Sequence, residues 1–496
     1  MDAKTRWSLI GRGIIALLLT VGFYGLALGI AFGLLYLIYV EFFVVGTVNL
    51  RLTVFALVGA GVILWAIFPR IDHFDAPGPR ITRKKYPALF EQIDSVASLT
   101  GQSKPRDVYL VHDVNAFVTE RGGLMGLGSR RVMGIGLPLL YLVSVDELRA
   151  ILAHEFGHFH GGDTLLGPWI YKTRNAIIRT VVSLGKSVLR VPFELYSNLF
   201  LRVTNSVSRQ QEFSADRLAA RTVGAQITIQ GLQKVHSYGP AFQAYFQQEF
   251  TPVLNGGYLP PMIQGFERFL RSSRIASLVA RSEQEQMRVD QTNPYDTHPS
   301  LKQRVEALKD LPPGSPHDAR PASVLLPDLP DLETSLLQTI LAKPETLPTL
   351  KEIAWDEVLE KVYLPAWTKS VATYAGILKD LTPSQIPQAA REVERWFTLV
   401  ARAGKLLPPG ITVQQVTRDN QIQIVNNAVG AGLIVTLQEQ GWQAVNTPGE
   451  NILLRKDGRH FEPFSIFYRL ARTELSADEW KRHCEEFGIS EVPLGK

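Results

Sequence analysis

The amino-acid sequence predicts an α+β protein that is mainly helical. Two long apolar stretches near the N-terminus indicate a transmembrane hairpin. In the central part, short strands precede a helix that carries the run AHEFGH, residues 153–158. A proline-rich segment then leads into helices and a small β-hairpin. The predicted order is therefore a membrane hairpin, a central α+β domain and a C-terminal α+β region.

The composition limits the class of protein. The chain has 496 residues, 46% of them hydrophobic, so it can bury a large core. The net charge of +5 comes partly from basic clusters beside apolar segments, which fits a membrane surface better than nucleic acid. No nucleic-acid motif is present, so no nucleic-acid partner is expected. Cys484 is the only cysteine, which excludes an intrachain disulfide and a thiolate zinc site.

Two apolar stretches define the predicted hairpin within residues 1–75. Residues 13–40 carry no charge and exceed the ~20 residues needed to cross the hydrocarbon core. Residues 47–69 can form the second span if the chain turns near 46–49. The alternative for the first stretch is a cleavable signal peptide, which its length and the second stretch disfavour.

Basic residues flank the hairpin at both ends, whereas the loop between the spans has almost none. They are Lys4, Arg6, Arg12, Arg70, Arg80, Arg83, Lys84 and Lys85. The positive-inside rule then places both ends on the cytoplasmic side. We expect a multi-pass protein of the cell (inner) membrane, in contact with the lipid bilayer, with its catalytic domain in the cytoplasm.

The AHEFGH run has the spacing of a metal-binding helix. His154 and His158 lie four residues apart on one helix face, and Glu155 directly follows the first imidazole. Ser144 and Glu147 form a capping box at the predicted helix start. The alternative is that the motif arose by chance on an ordinary amphipathic helix.

A third protein ligand is expected downstream, because catalytic zinc sites of this type use three ligands. Glu212 and Asp216 share one helix face, which suits a ligand plus a carboxylate that orients a ligating histidine. Between the two motifs, residues 169–203 form an amphipathic, basic segment. It is predicted either to lie on the membrane surface or over the cleft, or to be a helix pair packed within the domain.

Four motifs, spread over roughly residues 75–310, together resemble those of a known protein family. They are HEFGH, the E-x-x-A-D of residues 212–216, the run 295–300 with Arg304, and the NAF tripeptide 115–117. The sequence resembles the membrane-anchored zinc endopeptidases of the HtpX heat-shock protease and CAAX prenyl-protease type. The resemblance implies a zincin-like peptidase domain over residues 76–310, with protein or peptide substrates.

The same resemblance implies the roles of individual residues. Zn²⁺ would be held by His154, His158 and Glu212, with Glu155 as the general base. His298 would be a possible oxyanion donor, and Arg304 would orient a carboxylate or hold its loop. The alternative is that His298 and Pro299 only start a helix and that Arg304 pairs locally.

Two strands are predicted ahead of the metal helix, at residues 115–119 and 131–137. An edge strand beside such a helix can bind an extended substrate, which makes Asn115, Ala116 and Phe117 the predicted substrate-binding residues. The alternative is a pair of core strands without that role. A helix is also predicted at residues 86–99, and a strand at residues 104–113.

Other functions remain open on the sequence alone. One is a catalytically silent membrane scaffold that keeps the fold, against which the intact Glu155 argues. Another is a zinc hydrolase of non-peptide substrates, and a second metal at His160 and Asp163 is a minor alternative. Because two spans cannot enclose a chamber, a CAAX substrate is disfavoured.

The last third begins with six prolines in residues 311–332, which predict a linker without helix. Residues 333–496 are predicted to form an accessory helical and α+β region, with a hairpin at Asp457-Gly458 and a helix capped by Ser476. This region would bind a protein partner or serve structural packing.

Overall fold

The computed structural model describes residues 3–68, 74–122, 128–159, 167–289, 293, 296–341 and 350–495. The α-helices are, in chain order, α1 (Ala3–Val40), α2 (Leu50–Ile67), α3 (Pro87–Leu99), α4 (Leu137–Leu142), α5 (Val145–Gly157), α6 (Gly167–Ser183), α7 (Arg190–Val223), α8 (Ala225–Tyr245), α9 (Thr251–Asn255), α10 (Met262–Arg271), α11 (Ser273–Arg288), α12 (Leu301–Glu306), α13 (Leu329–Leu341), α14 (Leu364–Leu378), α15 (Ile386–Arg391), α16 (Val393–Gly404), α17 (Arg418–Gln438), α18 (Ile466–Ala471) and α19 (Ala477–Phe487). The β-strands are β1 (Arg80–Ile81), β2 (Asp107–Val111), β3 (Ala116–Arg121), β4 (Arg130–Gly136), β5 (Tyr258–Leu259), β6 (Lys351–Glu352), β7 (Gln443–Val445), β8 (Leu453–Lys456) and β9 (Arg459–Phe461). The mainly helical composition that the sequence predicts is confirmed.

The chain divides into two compact units. The first comprises Met1–Pro240 and Ala280–Ala342, and the second comprises Ala241–Val279 and Lys343–Lys496. Residues 241–279 were expected in the central domain, but the structure places them in the second unit. This segment instead packs with the C-terminal region, where β5 pairs in parallel with β6 and Arg268 forms an ion pair with Asp356 at 2.6 Å.

The N-terminal helices of the first unit are long and apolar. Two segments, Ile14–Val45 and Leu50–Ile67, have the length and hydropathy needed to cross a membrane. α1 continues as a π-helical turn through Val45, and the chain leaves the helix at residues 46–49, where the sequence predicts the turn. The Asn49 side chain then accepts a hydrogen bond from the Leu52 backbone N–H and starts α2.

The segment 169–203 forms two helices rather than one. α6 ends at Ser183, a turn follows in which Gly185 has a φ of 54°, and α7 runs for 34 residues to Val223. Both helices share a hydrophobic core with α1 and α2. The fully buried members of this core are Phe23, Ala27, Ala31, Ala56, Ile63, Phe193 and Phe200.

A four-stranded sheet supports the central part of the first unit. Its order is β1-β2-β4-β3, with β2 and β4 parallel and the other pairs antiparallel. β3 is therefore an edge strand, and the prediction that β3 and β4 are neighbours is confirmed. The helix predicted at residues 86–99 and the strand predicted within 104–113 are present as α3 and β2.

The proline-rich segment is more structured than expected. Within residues 311–332 a 3₁₀ turn covers Ala322–Leu325, and α13 begins at Leu329. Pro330 is compatible with this helix because a first-turn N–H has no partner within the helix. The prediction that no helix begins in this segment is wrong.

The second unit has its core around α17, which packs against α14, α16 and α18. The three-stranded antiparallel sheet has the order β7-β8-β9. The predicted hairpin at Asp457-Gly458 is confirmed, and both residues have positive φ values, 50° and 78°, as a tight two-residue turn requires. Ser476 caps α19 by accepting the Glu479 backbone N–H.

Candidate metal centre

The helix that carries the HEFGH run starts at the predicted capping box. The Ser144 hydroxyl accepts the Glu147 backbone N–H at 3.2 Å, and the Glu147 carboxylate accepts the Ser144 N–H at 2.7 Å. Lys234 of α8 donates to the same carboxylate at 2.7 Å. The start of α5 is thus fixed to a neighbouring helix, which helps to position the two histidines about two and three turns further along.

The proline-rich segment also secures this end of α5. The Asp146 carboxylate accepts the backbone N–H groups of His317 and Asp318 at 2.7 and 2.8 Å. The Ala322 N–H donates to the Val143 carbonyl at 2.9 Å. Residues 317–322 therefore pack against the peptidase-like part of the first unit and help to position its metal helix.

A close helix crossing brings the two sequence motifs together. A Cβ atom on Gly157 would lie 2.7 Å from the Ala215 Cα and 2.9 Å from its Cβ. The glycine of HEFGH and the alanine of E-x-x-A-D thus allow α5 and α7 to approach closely. Both helices then direct ligand side chains into one site.

The three predicted ligands lie at metal-binding separations. The His154 and His158 Nε2 atoms are 3.2 Å apart, and each lies 3.5–3.7 Å from a Glu212 oxygen. In a tetrahedral zinc site with bonds of about 2.0–2.1 Å, ligand atoms are about 3.3 Å apart. Among the described residues, Glu212 Oε2 is buried without a hydrogen-bond partner. The donor set therefore fits a zinc ion.

Asp216 contacts His154 on the side away from the candidate metal site, and Arg304 in turn contacts Asp216. The His154 Nδ1 lies 2.9 Å from the Asp216 carboxylate, which leaves Nε2 free to bind a metal. Arg304 donates to both oxygens of Asp216, at 2.6 and 2.8 Å, and is almost fully buried. Its partner is thus a carboxylate 88 residues away rather than a local one.

The protonation states follow from burial and neighbouring charges. Burial opposes a charge on His154, but Asp216 and Glu212 raise its pKa to about 10. Burial and the His154 charge lower the pKa of His158 to about 4. Although burial acts against it, the adjacent His154 and His298 side chains lower the pKa of Glu212. Metal binding would therefore displace a proton from His154.

Glu155 lies on the metal helix α5, and its carboxylate contacts the edge strand β3. Burial raises the pKa of its carboxyl to about 7, and the Val118 backbone N–H donates a hydrogen bond to it. A carboxyl poised near neutrality beside the three ligands can accept and release a proton. The predicted role of Glu155 as general base stays a prediction.

His298 reaches the centre from the loop before α12. Its Nδ1 lies 2.9 Å from Glu212 Oε1, and its side chain remains 62% exposed. Arg209 of α7 donates to the Asp296 carbonyl at 2.7 Å and holds this loop. The helix-start alternative is also present, because Ser300 and Gln303 form a capping box for α12.

The NAF tripeptide lies at the start of the edge strand. The Asn115 carbonyl accepts the Gly136 N–H. The backbone N–H and C=O groups of residues 115 and 117 therefore point toward β4, and those of Ala116 and Val118 point toward the free edge. The Phe117 ring covers Gly134, where a Cβ would lie 2.3 Å from it. Phe117 therefore packs on the sheet, and the edge offers backbone groups.

One neighbouring histidine has no motif in the sequence. Burial lowers the pKa of His236 on α8 to about 4, and the charges of Arg304 and His298 act in the same direction. It lies within electrostatic range of the centre. His160 and Asp163, proposed for a second metal, lie outside the described residues.

Comparison with known proteins agrees with this geometry. Residues 83–311 match the family model described as peptidase family M48. "Protease HtpX" of Hahella chejuensis is 25% identical over 218 residues, covering 39% of this chain and 71% of the relative. "Protease HtpX homolog" of Thermoplasma volcanium is 29% identical over 253 residues, covering 48% and 79%. "Protease HtpX" of Escherichia coli O1:K1 / APEC is 24% identical over 263 residues, covering 47% and 74%. No solved structure matches the chain.

The matched region is just under half of the chain, is similar to peptidase family M48 and contains the candidate ligand set. The relatives share one description. Over this region the chain is similar to HtpX proteases, and two candidate membrane helices precede it.

Proposed function

We propose that this protein is a membrane-anchored, zinc-dependent endopeptidase with a zincin-like catalytic domain. The proposal rests on one observation: the side chains of His154, His158 and Glu212 lie close together. Their ligand atoms all lie within 4.8 Å of one another. The M48 match supports peptide-bond hydrolysis as the reaction.

The ligand roles follow from the free atoms of these side chains. His154 and His158 would hold Zn²⁺ through Nε2, and Glu212 through a carboxylate oxygen. Asp216 accepts the Nδ1 proton of His154 and fixes that imidazole in the ligating tautomer, while Arg304 holds Asp216. A bound zinc ion supplies Lewis acidity, which polarises the scissile carbonyl and makes water easier to deprotonate.

Glu155 moves the proton in the proposed reaction. It accepts a proton from the attacking water and later donates it to the nitrogen of the departing amine. The Val118 N–H orients the carboxylate through its hydrogen bond. His298, exposed and beside Glu212, would donate to the oxyanion that forms as water adds to the carbonyl.

The free edge of β3 would hold the substrate chain. An extended peptide can add to an edge strand through backbone hydrogen bonds, largely independent of its side chains. Ala116 and Val118 face that edge. The Ala116 N–H already donates to the Asn115 side chain at 2.9 Å, and the Val118 N–H donates to Glu155, so a substrate would pair mainly through the carbonyl groups. The Asn115 amide would therefore limit where a substrate strand can begin to pair.

The two N-terminal helices would anchor the enzyme in the inner membrane as a multi-pass hairpin. Their length and hydropathy support the anchoring. The basic residues at the outer ends of both helices support a cytoplasmic catalytic domain. In this arrangement the enzyme would process proteins or remove damaged ones at the membrane surface.

The proposal is tested by measuring casein cleavage and zinc content on the same detergent-purified protein. We expect cleavage that a chelator abolishes and zinc restores, with about one zinc per chain before chelation. Stoichiometric zinc without cleavage of casein or of unfolded membrane proteins would instead favour a catalytically silent scaffold.

A further inference from the structure

The α6–α7 hairpin packs directly against the two candidate membrane helices. The Tyr196 hydroxyl donates to the Leu19 carbonyl at 2.6 Å, and the Phe193 and Phe23 rings are 6.4 Å apart. From α6, the Arg179 Nε donates to the Ala66 carbonyl at 3.1 Å. These contacts place parts of α6 and α7 beside segments that would lie within the bilayer.

The depth of the hairpin can be estimated from its turn. Leu189 approaches Gly59, where an added Cβ would lie 2.6 Å from the Leu189 Cδ1. Gly59 is at the middle of α2, whose 18 residues would span about 27 Å at 1.5 Å per residue. The turn between α6 and α7 therefore reaches about half the length of α2.

The outer face of the hairpin is apolar and exposed. Val182, Val188 and Leu195 are each about 70% exposed, at 72%, 71% and 68%. The adjoining helix α1 also has exposed apolar residues, with Leu18 and Val21 at 64% and 63%. So many exposed large apolar side chains on packed neighbouring helices are unusual on a water-exposed protein and suit lipid.

A groove between the two helices adds to this surface. It has a volume of about 440 Å³, and five of its eight lining residues are apolar. The lining residues are Ile178, Val181, Val182, Val191 and Leu195, together with the polar Glu194, Ser197 and Asn198. Its shape and lining suit an acyl chain. Arg190 pairs with Glu194 at 2.6 Å and donates to the Gly185 carbonyl at 3.0 Å, which reduces the cost of burying both charges.

We propose that the α6–α7 hairpin is a wedge embedded in the leaflet nearer the metal centre, with its outer face on lipid acyl chains and its turn near mid-bilayer. The proposal rests on the membrane anchoring given under the proposed function. Lys186 is exposed at the turn. A charge at that depth is costly, so it draws water and headgroups inward and thins the bilayer locally.

The wedge is connected to the metal centre by one helix. α7 is continuous from Arg190 to Val223, with Phe200 in the membrane-side core and Glu212 at the metal site. Twelve residues separate Phe200 and Glu212, which is about 18 Å along a helix. The third ligand thus lies close to the membrane surface, on a helix whose other end contacts lipid.

Lipid contact is tested with environment-sensitive fluorophores on single cysteines in a Cys484→Ala background. The test positions are Val182→Cys and Leu195→Cys; Phe32→Cys on α1 and Glu306→Cys on α12 are the lipid-facing and water-facing controls. In liposomes with nitroxide-labelled acyl chains, we expect quenching at 182 and 195 within about twofold of that at 32 and several times that at 306.

Quenching at 182 and 195 no greater than at 306, while 32 is quenched, would overturn the wedge but leave the anchor intact. An unquenched position 32 would overturn both the anchor and the wedge. Casein hydrolysis by the same variants is measured separately, so the failure of the peptidase proposal is distinguishable from either result.

Depth is tested with a membrane-impermeant maleimide on sealed vesicles. Thr47→Cys, in the turn between α1 and α2, should react from the face opposite the metal centre. Lys186→Cys should react only from the face of the metal centre, through the thinned region. Reaction of position 186 from the same face as position 47 would show a hairpin that spans the bilayer, contradicting the wedge.

Discussion

His298 differs from the other side chains of the metal centre because most of it is exposed. It contacts Glu212 from the loop before α12, so it can turn toward a substrate oxygen without disturbing the ligands. We expect His298→Ala to lower kcat by ~10²- to 10³-fold, the effect of losing one transition-state donor. Zinc content and thermal stability should stay near wild type.

The measurement is steady-state kinetics on a fluorogenic peptide together with zinc analysis. His460→Ala, which removes an exposed histidine from β9, is the control and should leave kcat unchanged. A rise in KM alone, or a lower melting temperature with normal kcat, would assign His298 to the start of α12 instead.

Among single residues, the candidate metal ligands could be predicted from the sequence more completely than the side chains that contact and hold them. The spacing of His154 and His158 on one helix face is fixed by helix geometry, so it can be predicted without a structure. Arg304 is 88 residues from Asp216, and their pairing depends on how α12 packs against α7. His236 belongs to no motif, and only the fold brings it near the centre.

Among the elements, the crossing of α5 and α7 determines whether three ligands meet. Gly157→Ala would force its new Cβ against Ala215, and we expect the helices to separate by a few tenths of an ångström. The variant should bind zinc at least ~10-fold more weakly and lose ~1–3 kcal/mol of stability through overpacking. Competition with a chelator and thermal unfolding measure the two effects.

Gly231→Ala on α8 is the matched control for this substitution. A Cβ there meets only ordinary contacts, the nearest at 3.5 Å, so zinc affinity should be unchanged. Equal zinc affinity in both variants would contradict a steric requirement at the crossing.

The elements themselves were largely predictable where the pattern is local. The capping box of α5 and the Asp457-Gly458 hairpin follow from residues a few positions apart. For residues 169–203 a helix pair was one of the predicted alternatives, but the position of the break between the helices was not predicted. It depends on a turn at Gly185 and on the burial of Phe193 against α1.

At the scale of the whole molecule, the proposed membrane hairpin would set the orientation of the peptidase-like domain. We expect a reporter fused after Lys85 to be cytoplasmic, because basic residues flank both helices and are retained on that side. The assay is a paired alkaline phosphatase and fluorescent protein fusion, with a fusion at Thr47 as the oppositely placed control. Phosphatase activity of the fusion after Lys85 would show the opposite orientation.

The unit boundaries could not be predicted from composition. Proline density indicates a break at residues 311–332, yet residues 317–322 bond to the start of α5. Residues 241–279 join the second unit through long-range contacts, such as that of Glu249 with the Gly449 N–H. A partner-binding role for residues 333–496 stays a prediction.

In the proposed mechanism, Glu155 is the base of a zinc peptidase and not a ligand. Glu155→Gln keeps the shape of the side chain but cannot accept a proton. Zinc content and peptide hydrolysis should therefore be measured on the same purified sample of this variant. The account predicts wild-type zinc content with hydrolysis reduced at least ~10³-fold. Hydrolysis near the wild-type rate, or loss of the zinc, would contradict it.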